Sequence, residues 1–128
     1  DYEGDKEKLL KELTKRNIWS IELIPGRNTV EALSDYMNYF YNRGFIVTLG
    51  SEHNTPNLAP LKLSAGNAEL TEELKKISYE SSCVVIAHQY LRSQGDSGYI
   101  GNDGIPKKDE RNDFEVMGKT VFEYFKTN

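Results

Sequence analysis

Histidine, cysteine and long apolar stretches are scarce in this sequence. Its 128 residues hold one cysteine, Cys83, and two histidines, His53 and His88. A single cysteine excludes a disulfide framework and a structural zinc cluster within the chain. Set inside an apolar run, Cys83 reads as a buried, reduced thiol. The longest apolar run, Cys83 to Ala87, is far too short to cross a bilayer. No signal peptide is visible, so a cytoplasmic address is expected. Positive charge is not in surplus either. A net charge of −4 and a pI near 5.2 argue against a nucleic-acid or anionic-membrane binder, which needs a basic footprint. The glycines build no phosphate-cradling motif after a strand. The first residue is Asp1 rather than Met, which points to an excised piece or a processed product.

The residues that are present outline one α/β domain over 1–128. Leu9, Leu10 and Leu13 among lysines and glutamates predict an amphipathic helix from Lys6 to Arg16. Ile18 to Ile24 reads as a strand stopped by Pro25-Gly26. Asn28 with Glu31 resembles a capping pair, and Val30, Leu33, Met37 and Phe40 follow at helical spacing up to Arg43-Gly44. Phe45 to Leu49 predicts a second strand. An irregular stretch leads to a helix over Glu69 to Tyr79, then a third strand over Cys83 to Ala87. A polar, glycine-rich loop over about 93–113 is expected to be mobile or lid-like. Phe114 to Phe125 predicts a last helix, with Phe114, Met117, Val121 and Phe125 facing inward.

Strands alternating with helices imply a three-stranded parallel sheet with flanking helices. Parallel strands open their carboxyl ends on one side. That rim would gather Glu22, Arg27 and Asn28 from the first strand, Ser51, Glu52, His53 and Asn54 from the second, and His88 from the third. Carboxylate and imidazole suit zinc, manganese or iron, and equally general acid/base work. An arginine just before a helix start suits an anion such as phosphate. Each residue also has a plainer role. Glu22 fits a surface ion pair, Arg27 a solvated charge, Glu52 and His53 a turn cap, and His88 a satisfied core imidazole. Tyr36, Tyr39, Phe40 and Tyr41 crowd one helix and suggest a partner surface.

The segment GSEHNTP after a strand, followed by an apolar run ending AHQYL, resembles the carboxyl-terminal portion of the PHP (polymerase and histidinol phosphatase) superfamily. The resemblance runs from about Trp19 to about Gly101. It implies part of a distorted (β/α)7 barrel with divalent metals at the strand ends, acting on phosphoesters. It implies Glu52 and His53 as metal-binding positions, His53 and His88 as catalytic ones, and Arg27, Asn28 and Asn54 as contacts to a phosphorylated small molecule. The family's amino-terminal His-x-His is absent here. The implied protein is therefore a fragment that supplies part of an active-site rim, is inert alone, and self-associates or meets a missing barrel half. The alternative is a non-catalytic α/β binding or assembly domain, with the tyrosine-rich helix as its docking surface.

Overall fold

The computed structural model describes residues 4–51 and 62–127. Among them four helices surround a small parallel sheet. The order is α1 (Lys6–Lys15), β1 (Ser20–Leu23), a 3-10 turn at Pro25–Arg27, α2 (Val30–Tyr41), β2 (Ile46–Leu49), α3 (Glu72–Ser93), a 3-10 turn at Lys108–Glu110 and α4 (Arg111–Thr127). β1 and β2 run parallel, with Ser20 opposite Ile46 and Leu23 opposite Leu49.

Local chemistry explains why each helix delivers the chain into its strand. Asp5 caps α1, its carboxylate accepting from the amides of Glu7 and Lys8. At the other end Ile18 N–H donates to Leu13 C=O and Asn17 N–H to Thr14 C=O, each over 3.0 Å. This is the paired closure of a helix that turns through a left-handed residue. Asn17 takes that role at φ 55°. α2 closes in the same manner: Phe45 N–H reaches Phe40 C=O, and Gly44 N–H reaches Tyr41 C=O. Gly44 sits at φ 87°, where a side chain is strained. At the start of α2 the cap is Thr29, which accepts from Ala32 N–H, rather than the expected Asn28. Asn28 instead donates from its amide to Ile24 C=O and accepts from Gly66 N–H.

The expected third strand is helix. Cys83 to Ala87 lies in the second half of α3, which runs unbroken from Glu72 to Ser93. A short apolar run fits either structure, and flanking breakers decide between them. Between Gly66 and Gly95 the sequence holds no glycine or proline. Moreover Leu74, Ile77, Ser81, Val84 and Ala87 are all buried, a spacing of three and four that belongs to a helix face. The sheet among the described residues is therefore two-stranded. α3 lies along the edge of β2 that faces away from β1: the amide of Val47 donates to the fully buried Ser81 hydroxyl over 3.0 Å.

β2 serves two cores, because neighbouring strand residues face opposite ways. Val47 joins Leu33, Met37, Phe40, Phe45, Leu74 and Ile77. Ile46 joins Val84, Ala87, Tyr99 and Phe114. The glycine-rich stretch contributes to the second core. Tyr99 is buried, its ring edge-on to Phe114 at 5.4 Å, and its hydroxyl donates to Gly44 C=O. An antiparallel bridge pairs Ile100 with Pro106, and the Trp19 indole donates to Gly104 C=O.

α3 and α4 cross at Gly118, where a Cβ would stand 1.8 Å from the Cys83 carbonyl oxygen. Backbone, not a flexible side chain, is in the way. In an open helix a glycine-to-alanine change gains up to about 1 kcal/mol. Here the overlap dominates, and Gly118→Ala is expected to cost roughly 1–3 kcal/mol. Thermal unfolding followed by circular dichroism checks the sign: a Tm at or above that of the wild type would rule out so close a crossing.

Candidate functional site

The carboxyl tails of β1 and β2 do open on one side, as parallel pairing requires. Glu22 is exposed, and its carboxylate lies against Gly50, where a Cβ would meet it at 2.5 Å. Beyond β1, Pro25–Arg27 forms the 3-10 turn, with Pro25 buried and Arg27 exposed. Asn28 is half-buried and ties the turn to Gly66. Ser51 follows β2 and is exposed. Glu52, His53 and Asn54 lie outside the described residues.

His88 does not join this rim. It sits on α3, next to Ala87, which packs with Ile46 at the start of β2. Its Nδ1 accepts from Ile100 N–H at 3.5 Å, and its ring lies against Gly98. These residues flank Tyr99, whose hydroxyl reaches Gly44 just before β2. His88 thus lies by the amino-terminal end of the sheet, while Arg27 and Asn28 lie beyond the carboxyl-terminal end. Expecting three strand ends on one rim depended on a third strand, and His88 moved with it. Burial, with Arg92 beside it, holds the His88 imidazole below its ordinary value of 6.5. Among the described residues no three His, Cys, Asp or Glu side chains converge to hold a metal ion. Without residues 52–54, the donors that are present do not make a divalent-metal site.

The densest polar cluster lies elsewhere, where α2, α3 and α4 meet. The Tyr41 hydroxyl stands 2.7 Å from Glu80 Oε2 and 3.1 Å from Glu115 Oε1. Arg111 Nε donates to Glu115 over 3.0 Å, and its Nη1 donates to the carbonyls of Tyr41 and Phe45. Its Nη2 lies 3.4 Å from Ser81 Oγ, and the guanidinium stacks on the Tyr41 ring at 3.8 Å. Burial and the Glu80 hydrogen bond push the Tyr41 hydroxyl well above its usual value. It remains a donor at neutral pH, with no catalytic base character. Cys83 is free and buried, and burial raises its thiol too, so it stays protonated and unreactive. Tyr41, Glu80, Glu115, Arg111 and Ser81 find partners within the cluster, which braces the helices.

The tyrosine-rich helix is likewise absorbed by the fold. Phe40 is fully buried, and Tyr36, Tyr39 and Tyr41 are half-buried. Arg43 stacks on Tyr39 at 3.6 Å. The exposed aromatic surface is instead at the end of α4. Phe114 is buried as expected and Met117 and Val121 are half-buried, but Phe125 is 70% exposed. Tyr124 beside it is 62% exposed, its ring edge-on to Phe125 at 5.3 Å. Phe122 and, on α3, Tyr79 are also exposed. The apolar stripe of α4 was legible; that its last turns outrun the body was not. A separate open depression of about 410 Å3 lies in the glycine-rich stretch, lined by Ser97, Asn102, Asp103 and Lys107 among others. Its one carboxylate, Asp103, already accepts from Ile105 N–H.

Comparison with protein-family models, with curated proteins and with solved structures finds no match to this chain.

Two outcomes follow from these placements. Arg111→Lys retains the charge but loses the fork that joins Glu115 to two backbone carbonyls. It is expected to cost on the order of 1–3 kcal/mol, since the cluster is half-buried and charged hydrogen bonds go unmade. Denaturant unfolding that leaves the midpoint in place would show the fork to be dispensable. The second concerns pH. Folding favours neutral His88, so its contribution is complete above the ordinary value of 6.5. It is lost as the pH falls through the lower folded value, because the unfolded chain binds the proton first. An NMR titration of the His88 ring should give a midpoint below 6.5, and His88→Gln should flatten the fall in Tm over that window.

Proposed function

We propose that this chain is a non-catalytic α/β module that works by binding or assembly. One observation carries the reading: Phe122, Tyr124 and Phe125 of α4 stand in solvent together with Tyr79 of α3. Clustered exposed rings mark surfaces that meet another molecule. The chemistry of the polar groups supports the same view. Arg111, Glu115, Glu80, Tyr41 and Ser81 bond one another or the backbone, and the single cysteine is buried. No helix among the described residues is long and apolar enough to cross a membrane, and a cytoplasmic setting fits a chain with a free buried thiol.

A second reading has one observation in its favour. The tails of β1 and β2 share a side, and the Glu22 carboxylate lies against Gly50 next to Ser51. In a longer PHP-like phosphoesterase, Arg27, Asn28 and Asn54 would hold a phosphorylated small molecule there, and Glu52 and His53 would hold zinc, manganese or iron. Such a metal supplies hydroxide near neutral pH. This reading rests on residues 52–54, and His88 takes no part in it.

Metal addition separates the two. Under the assembly reading, zinc or manganese leaves the Tm of the purified chain unchanged, because nothing binds the folded state selectively. A generic phosphomonoester, p-nitrophenyl phosphate, is not hydrolysed. Hydrolysis that a chelator abolishes would overturn the assembly reading and favour the second.

A further inference from the structure

We infer that the aromatic end of α4 is a self-association face, covered by a second copy of this chain across a twofold axis. The inference rests on the assembly reading and names its partner. α4 carries Phe114, Gly118, Val121, Phe122 and Phe125 on one side by their spacing. The first two are buried against α3 and the second core. After Gly118 crosses Cys83, the same stripe continues into water. Glu123 acts electrostatically on Tyr79 while Gly118 meets Cys83, so α4 runs back along α3 and brings its exposed rings beside Tyr79.

Area favours a full interface. Phe125, Phe122 and Tyr79 are 70, 42 and 45% exposed. At about 150–250 Å2 for an aromatic side chain, these fractions leave on the order of 300 Å2 of ring surface on each copy. Two copies contribute roughly 600 Å2 from the rings alone, and a polar rim of similar size brings the total to the ~1,200 Å2 at which specific, stable interfaces begin. Charge favours a like partner. Lys119, Glu123 and Lys126 form a stripe beside Phe122, again by their spacing. A twofold contact must be self-complementary. Two antiparallel α4 helices with the axis near Val121 set Lys119 of each copy against Glu123 of the other. The opposite signs then meet on both sides of the axis.

Analytical ultracentrifugation of the whole chain tests this, over a concentration series from low to high micromolar. The expected result is a monomer–dimer equilibrium that Phe125→Asp shifts wholly to monomer, with circular dichroism unchanged and the Tm equal to that of the wild type at concentrations where it is monomeric. Lys119→Glu should weaken the dimer several-fold, and Lys119→Glu combined with Glu123→Lys should restore it. A wild-type chain that stays monomeric throughout overturns the inference. So does a dimer indifferent to Phe125→Asp, which places the contact on another face. Failure of the charge swap to rescue overturns the antiparallel arrangement. None of these outcomes depends on metal or phosphoester. A monomeric chain that is also inert toward both leaves the assembly reading standing with a different protein as partner, whereas chelator-sensitive hydrolysis removes that reading whatever the oligomeric state.

Discussion

The outer edge of β2 is the constraint on which the architecture turns. A two-stranded parallel ribbon leaves backbone groups without strand partners, and burying them unpaired costs about 1–3 kcal/mol each. Here side chains meet that need. Tyr99 donates to Gly44 C=O, Arg111 to Phe45 C=O, and Ser81 accepts from Val47 N–H. Three different segments therefore converge on Gly44, Phe45 and Val47, at the start of β2 and just before it. A helix can lie where another strand might have paired, and the two-stranded sheet keeps a core on each side of β2.

The same interactions explain what the sequence could and could not disclose. α1, α2, β1 and β2 were readable because local signals agree there: leucines at helical spacing, a glycine after α2, β-branched residues next to turn formers. Boundaries moved by a residue or two, and the α2 cap passed from Asn28 to Thr29. The third strand was misread because Cys83 to Ala87 suits a buried strand and a buried helix equally. What distinguishes them is tertiary: Ser81 opposite Val47, and Gly118 against Cys83. His88 was drawn to the wrong end of the sheet by that one choice. Arg111 and Glu115 gave no warning of their part, since they looked like ordinary loop and helix charges. Phe125 was read as inward from its periodicity, which fixes the side of a helix but not how far the body extends beneath it.

Seen as a surface, the molecule has two contrasting ends. At the carboxyl ends of the strands lie Glu22, Arg27, Asn28 and Ser51, polar groups on a turn and strand tails. On the α3–α4 side lie rings in water, beside a well-satisfied cluster of arginine, tyrosine and carboxylates.

The way β2 is held has a kinetic corollary. Its edge contacts join residues separated by 34, 55 and 66 positions along the chain. Contacts so far apart must close large loops before they return any stabilisation. During synthesis the amino-terminal half emerges with its strand edge bare, and it has to wait for α3, Tyr99 and Arg111 to leave the ribosome. Until Arg111 has emerged, this strand edge of the nascent chain lacks the side chains that satisfy it.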